Sequence, residues 1–330
     1  MNAIPCTIPC NLCGSDHAAE IGTRDRNGNP LRSVICPDCG LVWTDPRPNA
    51  AATRKFYAED YRLEYKATYV PKLKHVYRES MRAIARFERI APLMQPEMRL
   101  LDVGSGGGFL LYVAQQHGFE AAGIEPNQGF AEYANQVLDV STNNGFLQDI
   151  EFQPGSFEVA MLNHVLEHVE DPYGTLQRLA GWLSPEGYLV VEVPNVEAIY
   201  HAPRNRYHVG HLYNFNPISL ERLGLKAGLG VYQSDLVTSE NHIHVIFQKR
   251  SRQAKRGVDC QIPGNFQRVS GILQRHTTFK HFSSPVPYHR FLRKQARYFQ
   301  EWRAVRNQKN PRKIADALIQ STRAPQRRAA

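Results

Sequence analysis

The sequence predicts an α/β fold, an open and largely parallel sheet with helices on both faces. Three observations point there. Strand-like and helix-like segments alternate at close spacing between residues 99 and 248. A glycine-rich loop, Asp102-Val103-Gly104-Ser105-Gly106-Gly107-Gly108, follows the first strand, where sheets of this kind bind their ligands. Two strand-like segments, residues 231–237 and 242–248, follow one another directly at the end, which predicts an antiparallel hairpin on the sheet.

Each element has its own signal. Residues 99–103 are a short apolar strand, and a helix runs from the glycine loop to about residue 117. Residues 120–124 form the second strand, 128–137 a helix, 157–162 a strand, 173–183 a helix and 187–193 a strand. A loop with Pro194, Pro203 and several histidines leads into a helix over 217–227. Ahead of the sheet, residues 51–95 read as helical, closed by Pro92 and Pro96; Phe56, Tyr57, Tyr61, Tyr65 and Tyr69 recur there at helical spacing and are assigned to core or lid packing.

The chain has 330 residues, 42% of them hydrophobic and 22% charged, which is enough to bury a core of ordinary size. No apolar run reaches the length of a membrane span. Met1 to Asn11 has neither a basic nor an apolar leader region, so a cytoplasmic location is expected. Charge is uneven: residues 251–330 hold 18 Lys and Arg against 3 Asp and Glu, a net +15, while residues 1–250 carry −6. Such asymmetry speaks of the tail's partners rather than of the fold.

Four of the six cysteines form two knuckles, Cys10-Asn11-Leu12-Cys13-Gly14 and Cys36-Pro37-Asp38-Cys39-Gly40. Each C-x-x-C puts two thiolates on one tight turn, and two turns complete a tetrahedral four-sulfur site that suits structural zinc. Disulfides or a redox pair are the alternatives. A reducing compartment disfavours the first, and the absence of a thioredoxin-like context the second. The organisation expected is a zinc ribbon over residues 1–48, a helical lid or linker over 49–97, the α/β domain over 98–250 and a basic, partly helical extension over 251–330.

The glycine loop departs from the dinucleotide fingerprint G-x-G-x-x-G, because Phe109 occupies the third glycine position. A leading acid, Asp102, would sit badly against a pyrophosphate but well against the ammonium of S-adenosylmethionine. Glu125, at the end of the next strand in Gly123-Ile124-Glu125-Pro126, can accept hydrogen bonds from both ribose hydroxyls. A purely structural glycine turn between strand and helix is the plainer alternative.

Taken together these stretches resemble the class I S-adenosylmethionine-dependent methyltransferases, in the branch with an N-terminal zinc-binding ribbon. The likeness covers residues 10–250. It includes Cys36-Pro-Asp-Cys-Gly-Leu-Val with Asp45-Pro-Arg-Pro, Leu101-Asp-Val-Gly-Ser-Gly, Gly123-Ile-Glu-Pro and Gly155-Ser-Phe-Glu-Val. It continues through His164-Val-Leu-Glu-His-Val-Glu-Asp-Pro, Leu183-Ser-Pro-Glu-Gly-Tyr and His211-Leu-Tyr-Asn-Phe-Asn-Pro-Ile-Ser-Leu. The resemblance implies a Rossmann-like methyltransferase sheet with Asp102, Gly104, Gly106 and Gly108 at the methionine end of the cofactor. It also implies Glu125 at the ribose, Phe146 and Leu147 (with Gln148) near the adenine, and Asn163 near the transferred methyl.

Methyl transfer to a hydroxyl needs an aligned acceptor and a group to take its proton, and histidine suits that work near neutral pH. His164 and His211 are the catalytic candidates. His164, Glu167, His168 and His211 also resemble the E-x-x-E-H plus distant His site that holds a divalent ion in ubiquinone-pathway and small-RNA O-methyltransferases, with His164 in place of the first glutamate. Glu167 and His168 read equally well as a helix-start and packing element.

In the tail, Tyr288, Phe291, Leu292, Gln295, Phe299 and Trp302 share one helical face beside Arg290, Arg293, Lys294 and Arg297. Such a helix can lie on an anionic membrane at its inner face, dock on a partner, follow a phosphate backbone, or bury its aromatic stripe on the main domain. Residues 321–330 read as unstructured. The function expected is O-methylation, or C-methylation, of a small molecule, sugar or lipid-linked glycan intermediate. An RNA methyltransferase and a non-catalytic binding protein of the same fold are the alternatives. No N-P-P-Y-type motif follows Leu162, which disfavours base methylation.

Overall fold

The computed structural model describes residues 6–55, 70–250 and 257–326. In chain order its strands are β1 (Ala19–Arg24), β2 (Pro30–Ile35), β3 (Val42–Thr44), β4 (Arg99–Val103), β5 (Glu120–Glu125), β6 (Ser141–Asn144), β7 (Phe157–Asn163), β8 (Leu183–Pro194), β9 (Tyr213–Asn214), β10 (Leu229–Val237) and β11 (His242–Lys249). The helices used below are α1 (Ala50–Lys55), α2 (Leu73–Ile90), α3 (Phe109–Gln116), α4 (Gln128–Tyr133), α5 (Pro172–Trp182), α6 (Pro217–Lys226), α7 (Asn265–Arg275), α8 (Thr278–Phe282), α9 (Val286–Val305) and α10 (Pro311–Gln326). A seven-stranded sheet has the order β10-β11-β8-β7-β4-β5-β6, and a four-stranded sheet the order β1-β2-β3-β9. This is the expected Rossmann-like methyltransferase sheet with a four-cysteine ribbon and C-terminal helices. The chain divides into two compact units, Met1–Thr53 with Leu162–Phe291 and Arg54–Met161 with Leu292–Ala330.

The second unit holds the parallel run β4-β5-β6, with Asp102 opposite Gly123 and Glu125 opposite Asn144. Helix α3 is apolar on every side, and residues Phe109 through Ala114 are all buried, as expected of a central helix. Helix α4 is capped by Asn127, whose side chain accepts from the Phe130 N–H at 3.1 Å. Strand β6 was not expected; its sequence, Ser-Thr-Asn-Asn, lacks any apolar alternation. Helix α10 returns to this unit. Ile314, Ala315 and Ile319 are buried, the Tyr112 hydroxyl donates to Asp316, and Arg312 donates to the same hydroxyl at 3.2 Å. The expectation of an unstructured stretch from residue 321 is corrected: α10 continues to Gln326. Arg78 of α2 binds the buried carboxylate of Glu301 through two nitrogens, at 2.7 and 2.6 Å.

The first unit contains the antiparallel strands β8, β11 and β10, which confirms the terminal hairpin. Helix α5 opens on Asp171 and Pro172, and α6 on an Asn216–Ser219 capping box with Pro217 in the first turn. The ribbon sheet is completed from far along the chain, because β9 pairs Trp43 with Tyr213 and Val42 with Asn214. Val269 and Leu273 of α7 pack with Leu31, Ile35, Val42, Val196 and Tyr207. Part of the basic extension is therefore ribbon core.

The aromatic stripe of α9 faces solvent: Tyr288, Phe291, Leu292, Phe299 and Trp302 are each more than half exposed. The stripe is therefore not buried as a core face. Phe56, Tyr57, Tyr61, Tyr65 and Tyr69 lie outside the described residues. Among the described residues no helix is long and apolar enough to cross a membrane.

Candidate active site

The glycine loop is fastened to the neighbouring strand. Gly104 N–H and Ser105 N–H both donate to the Ile124 carbonyl, at 2.8 and 3.0 Å. Gly104, Gly106 and Gly108 have φ of 72°, 57° and 77°, a region costly for residues with a Cβ. At Gly108 a Cβ would stand 2.6 Å from Val140 and 2.8 Å from Ala134, so this position admits only glycine. Asp102 lies at the carboxyl end of β4 and is 5% exposed.

Glu125 ends β5 and is 1% exposed. One of its oxygens accepts from Gly106 N–H at 2.8 Å and the other from Asn127 N–H at 3.0 Å. The loop is thus wrapped onto a buried carboxylate. A carboxylate oxygen can accept more than one hydrogen bond, which suits Glu125 to a vicinal diol. Leu147 is buried at the start of a short 3₁₀ turn, Leu147–Asp149. The Arg54 guanidinium lies 5.3 Å from the Phe146 ring and pairs with Asp149 at 2.9 Å.

In the other unit, β7 ends at Asn163 and delivers His164 with φ of 57°, an uncommon conformation for a residue other than glycine. Its N–H donates to the Glu192 carbonyl at 2.8 Å. Both ring nitrogens then meet carboxylates: Nδ1 lies 3.3 Å from Glu167 Oε1 and Nε2 3.2 Å from Glu192 Oε1. His242, at the start of β11, places Nδ1 3.6 Å from that same Glu192 oxygen, and its ring stands edge-on to His164 at 4.5 Å.

His168 Nδ1 donates to the Gly210 carbonyl at 2.6 Å, and its Nε2 lies 3.8 Å from Glu167. The His211 ring stands edge-on to His168 at 4.9 Å and to His208 at 5.3 Å. Of the four residues grouped by sequence, Glu167, His168 and His211 form one trio, while His164, 3.3 Å from Glu167, joins Glu192 and His242 in a second. Glu192 and His242 were missed. A signal existed for the first, a lone acid in the apolar run Leu189-Val-Val-Glu-Val, where an unpaired charge would be costly.

Burial sets the protonation states here. Burial pushes the His211 imidazole well below its ordinary range, with neighbouring His168 adding to it. His208 is likewise held down at about 4, by burial and then by Arg26. Burial acts the other way on Glu167, but the nearby His168 and His164 outweigh it and hold the carboxyl at about 2. A neutral imidazole thus stands beside an ionised carboxylate.

The ribbon positions this histidine. Thr44 of β3 donates through its hydroxyl to the His211 carbonyl at 3.2 Å and through its N–H to Leu212 at 2.9 Å. Tyr213 N–H donates to the Glu167 carbonyl at 3.1 Å, and the Tyr213 hydroxyl accepts from Arg47 at 3.0 Å. The ribbon's own centre is Cys10, Cys13, Cys36 and Cys39, whose sulfurs all lie within 4.8 Å of one another. Cys10–Cys39 and Cys13–Cys36 are each 3.4 Å apart, far beyond a bonded pair of about 2.05 Å. The spacing is close to the edge of about 3.8 Å of a tetrahedron with 2.3 Å zinc–sulfur bonds. The cluster fits a zinc ribbon.

Residues 73–234 match the model of a family described as "Methyltransferase domain". An enzyme named ubiquinone biosynthesis O-methyltransferase, from Caulobacter sp. (strain K31), is 31% identical over 121 residues, 34% of this chain and 48% of the relative. The chain spans about half the length of the curated relatives it matches. Among solved structures, phosphoethanolamine N-methyltransferase 2 of Haemonchus contortus is 15% identical with a TM-score of 0.48, covering 64% of this chain and 63% of that one. An S-adenosylmethionine dependent methyltransferase from Mesorhizobium loti is 16% identical with a TM-score of 0.43, covering 50% and 98%.

Residues 73–234 therefore match a methyltransferase domain, and S-adenosylmethionine is the cofactor that its glycine loop would take. Its residues fit that cofactor: Glu125 is a buried acceptor for a diol, and Asp102 a carboxylate at the strand end for an ammonium.

Proposed function

We propose that the protein transfers a methyl group from S-adenosylmethionine to a hydroxyl of a small molecule, sugar or lipid-linked glycan. The observation that carries this reading is the cluster of His211, His168 and the buried Glu167 carboxylate, whose polar side-chain atoms lie within 4.8 Å of one another. When bound, the cofactor supplies an activated methyl group on a sulfonium. Asp102 would hold its ammonium and Glu125 its ribose, with Gly104, Gly106 and Gly108 giving the backbone room and Phe146 and Leu147 near the adenine. His211 takes the hydroxyl proton. The Glu167 carboxylate, within 4.8 Å of it, stabilises the imidazolium that forms. His164, set between Glu167 and Glu192, serves the acceptor's end of the site.

Zinc on Cys10, Cys13, Cys36 and Cys39 holds the ribbon, and through Thr44 the ribbon holds the His211 loop. The exposed aromatics of α9, interleaved with Arg290, Arg293 and Lys294, suit contact with an anionic membrane surface that presents a lipid-linked acceptor. The curated relatives' shared name, an O-methyltransferase, favours a hydroxyl over a carbon acceptor.

The test is incubation of the full chain with isotopically labelled S-adenosylmethionine and fractionated cell extract, with mass spectrometry of the labelled product. A methylated hydroxyl compound whose formation falls at least about 100-fold in His211→Ala is expected. Label found only in RNA, or turnover untouched in both His211→Ala and His164→Ala, refutes the reading.

A further inference from the structure

We propose that His164, Glu192 and His242 form a binding site for a first-row transition-metal dication such as zinc, iron(II) or cobalt(II), distinct from the cysteine ribbon and from the Glu167–His168–His211 trio.

Distances argue for it first. The two imidazole nitrogens stand 3.2 and 3.6 Å from one oxygen of Glu192. A charge-assisted hydrogen bond between an imidazolium and a carboxylate closes to about 2.7–2.9 Å. Ligands 2.0–2.1 Å from a tetrahedral ion lie about 3.3 Å from one another. The observed separations are those expected of ligands around one ion.

The surroundings argue for it independently. The far nitrogen of His164, Nδ1, faces Glu167 Oε1 at 3.3 Å. A carboxylate behind a ligating imidazole fixes its tautomer and raises its basicity, the arrangement that second-shell partners impose at metal centres. Glu192 is itself buried, in a strand whose flanking residues Val191 and Val193 are fully buried. Register brings its partners to it: β8 and β11 pair Pro194 with His242 and Glu192 with His244, so Glu192 and His242 share one face of the sheet. His164 reaches the same point only because its backbone is left-handed and pinned to the Glu192 carbonyl. Strain of this kind persists where the surrounding structure over-determines it.

Two imidazoles and one carboxylate favour a borderline transition metal over magnesium or calcium. Three protein ligands leave a coordination position open, and the His164 side chain is 31% exposed, so an oxygen ligand has access. The site is a metal centre with a vacancy for substrate or water, unlike the closed four-sulfur ribbon.

The experiment is a cobalt(II) titration of the full chain purified with its ribbon loaded with zinc, followed by visible absorption and by metal analysis. One further equivalent of cobalt is expected, with ligand-field bands and no thiolate charge-transfer band. Glu192→Gln, which keeps the shape of the side chain, and His242→Ala are each expected to weaken it at least about tenfold. His211→Ala leaves it within twofold. The readout is metal binding, so it stands or falls separately from the proposed methyl transfer. Absence of the extra equivalent in the wild-type chain overturns the proposal whatever the variants do. So does cobalt that enters only with thiolate bands, binding unchanged in both Glu192→Gln and His242→Ala, or a loss confined to His211→Ala.

Discussion

Replacing Glu125 by glutamine removes one charge and one acceptor from a carboxylate shared by two backbone N–H groups. Gly106 N–H and Asn127 N–H reach different oxygens, at 2.8 and 3.0 Å, in a side chain 1% exposed. The amide can satisfy only one of them, and its NH₂ faces the other. A buried donor left facing a donor costs about 1–3 kcal/mol. That stability loss lowers the melting temperature by about 2–4 °C per kcal/mol. The ribose hydroxyls lose a charged acceptor as well, worth about 1.5–3 kcal/mol, which weakens cofactor binding about 10- to 100-fold. Calorimetric titration of S-adenosylmethionine into wild type and Glu125→Gln reads the affinity, and a thermal melt reads the fold. An affinity within about twofold of wild type, in a protein that melts at the wild-type temperature, refutes the assignment of Glu125.

Three further outcomes are expected. Cys39→Ser removes the zinc and loosens the His211 loop, so amide exchange across residues 208–215 accelerates about tenfold or more; unchanged exchange refutes the ribbon as the support of that loop. Arg78→Ala leaves the buried Glu301 with Arg297 at 3.5 Å and costs about 3 kcal/mol in denaturant melts, whereas the double replacement Arg78→Met with Glu301→Leu recovers most of it. His208 and His276 are buried and held at about 4, below the ordinary 6.5, first by burial and then by Arg26 and Arg206 respectively. The unfolded chain therefore binds protons first as pH falls. Stability is full above pH 6.5 and drops between 6.5 and 4 by about 1.4 kcal/mol per histidine per pH unit. A melting temperature flat from pH 7 to pH 5 contradicts this.

Much of the architecture was legible because its signals are local. Apolar runs such as Arg99–Val103 and Phe157–Asn163 announce strands, and Asn216-Pro217 or Asp171-Pro172 announce helix starts. Strand β6 was not legible, since an edge strand of polar residues has no face to bury. Nor was β9, two residues whose partner lies in β3, far away in sequence. The aromatic stripe of α9 gave a correct helix, while its exposure depends on what packs nearby and not on its period. At the site, the glycine loop, Glu125 and the cysteines carry fixed spacings that can be read directly. Glu192 and His242 do not, because only the register of β8 against β11 and the left-handed turn at His164 bring them together. The grouping of His164 with Glu167, His168 and His211 followed a resemblance; in the fold His164 stays 3.3 Å from Glu167 and is shared with a second trio.

The central claim is that this chain holds S-adenosylmethionine on the loop from Asp102 to Gly108. Calorimetric titration of the full chain with S-adenosylmethionine, repeated on Asp102→Asn, tests it most directly. The account predicts saturable one-to-one binding to the wild-type chain and an affinity lower by at least about tenfold in the variant, the loss of a carboxylate against an ammonium. No binding to the wild-type chain, or equal binding by Asp102→Asn, contradicts it.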